Sequence, residues 1–182
     1  LCIRDRNMLS RGDSNYSWRF IFVPETIGAI AYLKSNEEAM KKVIGGFVVT
    51  CCGGPGRLGY KETFDGNHLV DRAVRLAFRD NQIVPVTYRF VPDGSDERQY
   101  SSPGFRIPVT TITKDKYYEY PQYHTSEDNL DLVNGKQVLE ALKLYQTAIQ
   151  ILDGSEKIIT TMPYGEVHLG GRGLYPTLGG SI

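Results

Sequence analysis

Short apolar runs of strand length alternate along this chain with segments whose apolar residues recur at helical spacing. The clearest helical segment begins near Leu69, where apolar residues recur at i, i+3, i+4, i+7 and i+8. The residues of this pattern are Val70, Ala73, Val74, Ala77 and Phe78. A longer pattern runs from Val138 to Leu152 and stops before Gly154, a residue suited to a helix end. The alternation predicts an α/β fold, a three-layer α/β/α sandwich around a mixed sheet.

Five apolar or aromatic runs are short enough to be strands, and we expect the first two to be buried. The predicted strands are residues 17–23, 45–52, 58–64, 84–90 and 106–113. Near-helical spacing follows the first strand over residues 25–36. A serine ahead of acidic residues indicates a further helix start near Ser35.

The length and charge of the chain limit its organisation and its partners. A chain of 182 residues is long enough for one domain with a sizeable core. Lys and Arg together number 21, as do Asp and Glu, so no basic field points to nucleic acid or to an anionic membrane. The longest apolar runs are well short of the roughly 20 residues of a membrane span. We expect neither nucleic acid nor a membrane as a partner.

The three cysteines, two of which are adjacent (Cys51 and Cys52), do not make a disulfide framework. Neighbouring cysteines bridge only with strain, which favours a reducing compartment. The pair is predicted to pack as small hydrophobes at a strand end rather than to bind a soft metal. The first residues are too polar for a signal peptide, and the sequence predicts a cytoplasmic protein.

Both ends of the sequence are unusual and indicate a fragment. Residues 1–6, LCIRDR, look like a translated sequencing adaptor, and we exclude them from the fold prediction. Residues 7–182 are expected to be the second part of a single α/β domain that is incomplete at its N-terminus. Because such a loss exposes a sheet edge and apolar surface, this chain alone is predicted to be inactive and weakly folded or self-associating.

Polar segments follow four of the predicted strands. They are residues 24–26, the turn 53–56, the loop 93–99 and the loop around His124. In α/β sheets, ligands usually bind in crevices outside the carboxyl ends of strands. We therefore expect these segments to form a functional site.

Glu25 and His124 are the leading single candidates. A carboxylate at Glu25, in a low-dielectric crevice between a strand and a helix, can act as a general base. The alternative is an acidic residue that complements the helix dipole. His124 can bind a metal through one ring nitrogen, or it can be a loop histidine beside the cap of a helix that begins near Ser126. The other two histidines are expected to be structural.

The loop 93–99 carries Asp96 and Arg98 among four charged residues. Arginine can grip a substrate carboxylate with two hydrogen bonds, so both are candidate substrate contacts; a solvated surface loop is the alternative. The turn 53–56 is rich in glycine but lacks the Lys-Ser/Thr ending of a phosphate loop, and no helix follows it closely. Nucleotide binding is therefore the least favoured interpretation.

Four motifs, in order, resemble those of zinc aminopeptidases in the aminopeptidase/glutamate-carboxypeptidase-like superfamily. They are VPETIG at 23–28, VTCCGG at 49–54, GSDERQYSSPGFRIP at 94–108 and QYHTSEDNLD at 122–131. With GRGLYPTLGG near the C-terminus, they are most similar to an uncharacterised aminopeptidase-like subgroup of bacteria and archaea. The resemblance covers most of residues 15–182 and implies a zinc-exopeptidase-like fold.

The resemblance implies roles for individual residues. Glu25 stands where the family has its general base, and His124 stands at a zinc-binding histidine. Thr26 replaces a glutamate that binds zinc in the family, and Thr50 or Cys51 replaces an aspartate ligand. The resemblance therefore implies one zinc ion rather than two, with further ligands on a segment before residue 1.

The implied activity is metal-dependent hydrolysis of an amide bond near a free terminus. Glu25 would take the proton of the metal-activated water, and Tyr123 would donate a hydrogen bond to the oxyanion. Asp96 and Arg98 would orient the substrate, a peptide or an N-acylated small molecule. The alternative is a non-catalytic binding or regulatory module that keeps the fold with an eroded metal site.

Overall fold

The computed structural model describes residues 14–155, 159–161, 163–166 and 168–175. Its helices are α1 (Ile27–Ser35), α2 (Glu37–Met40), α3 (Leu69–Asp80), α4 (Glu97–Tyr100) and α5 (Gly135–Asp153), followed by a 3-10 turn at Gly170–Arg172. Its strands are β1 (Gly46–Phe47), β2 (Gly59–Lys61), β3 (Val86–Tyr88) and β4 (Val109–Thr113). The adaptor-like residues 1–6 lie outside the described residues, as do residues 176–182. None of the helices in the described ranges is long and apolar enough to cross a bilayer.

The four strands form one mixed sheet in the order β1-β4-β2-β3. Strand β4 is parallel to β1 and antiparallel to β2, and β3 is parallel to β2. Tyr60 pairs with Ile112, and Lys61 pairs with Thr111. Because successive side chains of a strand point to opposite faces, the first pair faces one side of the sheet and the second pair the other. The mixed sheet predicted from the sequence is confirmed.

Helices cover both faces of this sheet. On one face α3 and α5 form the main core with the sheet: Tyr60, Val74, Ala77, Phe78, Ile112, Leu144, Tyr145 and Ala148. Helices α1 and α2 pack around Val109, which lies three positions from Ile112 in β4 and so faces the opposite side. The five apolar residues that predicted α3 are all buried. These contacts arrange the protein in three layers, with the sheet between two layers of helices.

The side chain of Tyr145 links α5 to strand β4, just beyond the end of β1. Its hydroxyl accepts the Ile112 N–H at 2.9 Å and lies 2.8 Å from the Ile112 carbonyl and 3.2 Å from the Val48 carbonyl, to which it can donate. Burial raises the pKa of Tyr145 well above its ordinary value, so the hydroxyl keeps its proton. The Tyr145 hydroxyl thus pairs with the N–H and C=O of Ile112 in β4, beyond the residues of β4 that pair with β1.

The prediction of a buried strand at residues 17–23 is wrong. This segment has no regular secondary structure and joins no ladder of the described sheet, and Phe20 and Phe22 are 42% and 71% exposed. Trp18 and Ile21 still pack against core clusters, so part of this segment contributes to the interior. The predicted strand 45–52 is reduced to Gly46–Phe47 and is half-buried, because it forms an edge of the sheet.

Candidate active site

Glu25 and Thr26 form a tight turn directly before α1. The Ile27 N–H donates to the Glu25 carbonyl at 2.7 Å, which closes a three-residue turn centred on Thr26. Thr26 has φ 62° and ψ −72°, a strained conformation that is unusual for a β-branched residue. Strain of this kind persists only where the surrounding structure holds it, and it is concentrated at functional sites.

Asp96, which precedes α4, holds this turn in place. Its Oδ1 accepts the Thr26 N–H at 2.7 Å. Burial raises the pKa of Asp96; the Thr26 N–H and Arg98 oppose the rise, and the negative charge of Glu25 adds to it. Glu25 itself is exposed rather than enclosed in the crevice that the sequence led us to expect. Two of the four predicted segments meet at this hydrogen bond.

The loop 117–124 brings Tyr123 and His124 to the same place. Their rings are stacked, with centroids 3.9 Å apart and planes inclined by 16°. Tyr118 packs edge-on against both, at 4.9 Å from the Tyr123 ring and 6.4 Å from the His124 ring. Burial, Tyr118 and the charge of Glu25 raise the pKa of Tyr123. The Tyr123 phenol therefore keeps a proton to donate at neutral pH.

Cys51, which follows β1 and precedes the predicted turn 53–56, also senses the charge of Glu25. Burial raises the pKa of the Cys51 thiol, hydrogen bonds from Thr50 and Tyr120 oppose the rise, and the charges of Asp128 and Glu25 add to it. The charge of Glu25 thus acts on Asp96, Tyr123 and Cys51, which lie in other segments of the chain. Cys52 packs against the main core, and burial raises its pKa to about 12, as expected of a packing residue.

Backbone strain is concentrated at this site. Six non-glycine residues of the described ranges have a positive φ: Thr26, Cys51, Gln82, Arg106, Tyr118 and His124. Four of the six belong to the segments just described. None of the four is glycine, so composition gave no sign of this geometry, and Tyr118 was not among the residues that we predicted for the site.

His124 is placed where a ligand could reach it, but it has no partners for a metal. Its ring is exposed, and it forms no hydrogen bond within the described part of the chain. The described residues contain no group of three His, Cys, Asp or Glu side chains that could hold a metal ion. Because a catalytic zinc typically has three protein ligands, the described residues do not fit a complete zinc site.

The alternative of a helix beginning near Ser126 is wrong. Residues 119–133 form a series of turns rather than a helix. The Thr125 hydroxyl accepts the Glu127 N–H at 3.2 Å and donates to the Gln122 carbonyl at 2.8 Å, so it stabilises a local turn. The short polar side chains of this segment favour turns over the first turn of a helix.

Arg98 lies beside Asp96 at the edge of the site. It is half-buried, and its charge opposes the rise in the pKa of Asp96. Its buried Nε has no hydrogen-bond partner among the described residues. Because this Nε is buried, only the terminal nitrogens of the guanidinium are suited to bind an anionic group of a ligand.

The glycine-rich turn 53–56 is filled by a carboxylate of the chain itself. The Gly56 N–H donates to Asp115 Oδ2 at 3.1 Å. A Cβ atom at Gly54 or Gly56 would overlap this carboxylate. The glycines therefore allow Asp115 to approach the backbone, and the Gly56 amide is already occupied rather than free for a phosphate.

A protein-family profile described as a domain of unknown function, DUF4910, matches residues 2–155. The chain belongs to the DUF4910 family. The DUF4910 chain is 37% identical over 172 residues to a Clostridium acetobutylicum protein that is provisionally named a polysaccharide biosynthesis protein with an aminopeptidase-like domain. The match covers 94% of this chain and 39% of the relative.

Solved structures share the fold of the DUF4910 chain. A crystal structure of a provisionally named peptidase from Clostridium acetobutylicum has a TM-score of 0.80 and 35% identity, covering 93% of this chain and 40% of that one. BSAP, a zinc aminopeptidase from Bacillus subtilis, has a TM-score of 0.58 and 19% identity, covering 75% of this chain and 35% of that one. The predicted likeness to zinc aminopeptidases is confirmed, and homology supports a peptidase-like hydrolase at the family level. The DUF4910 chain spans about two fifths of the length of the relatives just described.

Proposed function

We propose that this chain carries the proton-transfer and substrate-orienting part of an amide-hydrolase site of the aminopeptidase type. The observation that supports it is the hydrogen bond from the Thr26 N–H to Asp96 Oδ1, which joins the Glu25 turn to the loop that carries Arg98. The charge of Glu25 raises the pKa of Asp96, Cys51 and Tyr123, which belong to three other segments of the chain. A carboxylate, a protonated phenol and an arginine can serve in amide hydrolysis as general base, oxyanion donor and substrate anchor.

Glu25 is proposed to take the proton of the attacking water and to pass it to the leaving amine. Its place in front of α1 is set by the turn that Asp96 holds through Oδ1. Tyr123 keeps its proton and is proposed to donate a hydrogen bond to the oxyanion. Arg98, whose charge acts on Asp96, is proposed to orient the polar terminus of the substrate.

We further propose that His124 is one ligand of a zinc ion whose other ligands lie outside the described residues. No step above is routed through the metal, because the described residues provide too few ligands. The proposed substrate is a peptide or an N-acylated small molecule; the polysaccharide-biosynthesis name of the Clostridium relative favours an N-acylated sugar. We propose a cytoplasmic site of action, since the adjacent cysteines suit a reducing compartment.

The test uses the protein expressed from the longest reading frame that contains this chain. Aminoacyl p-nitroanilides and N-acetylated sugars are assayed with added zinc and with a chelator. We expect Glu25→Gln to lower kcat by about 100-fold or more, as loss of a general base does, whereas the exposed Glu127→Gln serves as the matched control with little effect. Equal activity of Glu25→Gln and the wild type would refute the proposal.

Zinc binding is measured separately on the same protein. His124→Ala is expected to lower zinc affinity, and His168→Ala is expected to leave it unchanged. Zinc bound through His124 without hydrolysis of any substrate would instead support the binding module.

A further inference from the structure

Lys61 of β2 is a charged residue in the interior of the protein, with 3% of its surface exposed. Its ammonium donates hydrogen bonds to the Tyr117 hydroxyl at 2.6 Å, to the Val91 carbonyl at 3.1 Å and to the Asp93 carbonyl at 3.3 Å. It also lies 3.2 Å from Oε1 of Glu97. The partners of Lys61 therefore belong to two separate segments of the chain.

The first of these segments, residues 91–97, supports the Glu25 turn. Glu97 directly follows Asp96, and Asp96 accepts the N–H of Thr26. Lys61 contacts this segment at both ends, through the main chain at residues 91 and 93 and through the carboxylate of Glu97. Its ammonium thereby sets the position of Asp96 relative to the sheet.

The second segment supports His124. Tyr117 is followed by Tyr118, whose ring packs against the stacked pair of Tyr123 and His124. The rings of Tyr117 and Tyr118 also contact each other edge-on at 5.7 Å. The hydrogen bond from Lys61 to Tyr117 is buried and, at 2.6 Å, is the shortest contact that the ammonium makes.

Burial of the charged Lys61 ammonium costs free energy, and packing alone does not account for it. Glu97 is fully buried, and apart from the ion pair with Lys61 its carboxylate oxygens have no hydrogen-bond partner among the described residues, nor has the neighbouring Thr111 hydroxyl. A small enclosed cavity between them has room of about 10 Å³, close to the space of one water molecule. Buried ion pairs can often be replaced by apolar residues without loss of stability, so stability alone does not account for this pair.

We propose that Lys61 is a positioning residue that holds the Glu25 turn and the His124 loop in a fixed mutual arrangement. The inference rests on the proposed function only in treating these two segments as parts of one active site. A single ammonium that contacts both segments fixes their spacing, which catalysis requires to within a fraction of an ångström.

The first test is an NMR measurement of the histidine rings in the protein expressed from the longest reading frame that contains this chain, with the His124 signals assigned from the His124→Ala variant. Stacking on Tyr123 shifts the ring protons of His124 upfield. In Lys61→Met we expect these signals to move towards the values of a free histidine, while those of His68, which pairs with Asp65, stay in place. Lys114→Met is the matched control, because Lys114 is 5% exposed and its ammonium pairs with Glu140 of α5 rather than with either of the two segments.

A second variant covers the case in which Lys61→Met does not fold. Lys61→Met combined with Glu97→Gln removes both charges of the pair, so no ion is left buried alone. Unchanged His124 signals in either folded variant would overturn the proposal, and so would an equal change in Lys114→Met.

The activity of the protein from the longest reading frame separates this inference from the proposed function. If the wild type hydrolyses an amide, Lys61→Met is expected to lower kcat by tenfold or more, and Lys114→Met is not. An unchanged kcat in a folded Lys61→Met would overturn the positioning role. If the wild type hydrolyses nothing, the hydrolase proposal fails, and the histidine signals still decide whether Lys61 fixes the two segments.

Discussion

The backbone N–H of Thr26 donates a 2.7 Å hydrogen bond to Oδ1 of Asp96, which lies 70 positions further along the chain. The Thr26 N–H, directly before α1, is thus paired with the side chain of Asp96 from another loop. The strained turn that presents Glu25 depends on this bond. Changes at either residue should therefore affect both stability and the geometry of the site.

Replacing Thr26 by glycine is expected to stabilise the protein by about 1 kcal/mol. Glycine adopts a positive φ without the steric cost that the Cβ of threonine imposes. The free energy of unfolding is measured by urea titration. Thr87→Gly, in the middle of β3, is the control and is expected to destabilise, since glycine weakens a strand. A destabilised Thr26→Gly variant would show that the turn is not strained.

Replacing Asp96 by asparagine is expected to change how stability depends on pH. The pKa of Asp96 is raised above its ordinary value of 3.8. The stabilisation from this carboxyl group is therefore complete below that value and is lost as the pH rises through the raised pKa. Asparagine can still accept the Thr26 N–H but does not titrate.

The midpoint of thermal unfolding, Tm, is the measurement for this variant. The Tm of the wild type minus that of Asp96→Asn should be largest near pH ~3 and should fall towards pH ~7. A difference that grows with pH would contradict the raised pKa.

Replacing Tyr145 by phenylalanine is expected to destabilise the protein by about 2 kcal/mol. The change leaves the buried N–H and C=O of Ile112 without the hydroxyl that now pairs with them. Urea unfolding measures the loss. Tyr164→Phe, at a side chain that is 91% exposed, is the control and should match the wild type. Equal stability of Tyr145→Phe and Tyr164→Phe would mean that water replaces the hydroxyl.

Replacing Gly56 by alanine is expected to destabilise the protein by about 2 kcal/mol. The new methyl group would overlap the Asp115 carboxylate and force it away from the Gly56 N–H. Gly104→Ala is the control, because a Cβ there meets nothing within 4 Å. Thermal unfolding compares the two variants, and a similar Tm for both would show that the turn tolerates a side chain.

The helices were predictable because their signal is local. The spacing that predicted α3 and α5 depends only on residues a few positions apart, and all five residues of the α3 pattern are buried, as are Leu142, Tyr145 and Leu152 of α5. The run 17–23 has equally apolar composition, yet a strand also needs a partner edge, which no local pattern reveals. For the same reason the predicted strand 45–52 is longer than the observed β1, which has two residues.

The candidate site was predictable in its residues but not in its geometry. Polar segments after strands, and the resemblance to aminopeptidases, pointed to Glu25, Asp96 and His124. The positive φ at Thr26 had no compositional sign, because the residue is not a glycine. Lys61 lies within a predicted strand, and its partners lie 30 to 56 positions away, so only the tertiary structure reveals its contacts.

The long sequence separations at the site have a consequence for how the chain folds. The bond between Thr26 and Asp96 closes a span of 70 residues, and the contact of Tyr145 with Val48 closes one of 97. The entropy of closing such spans is lost before their contacts contribute, so they form slowly, whereas helices α3 and α5 can form from local contacts. The amide of Thr26 should therefore be among the last to gain protection from hydrogen exchange during refolding, and the site is completed only when the folding of the rest has been achieved.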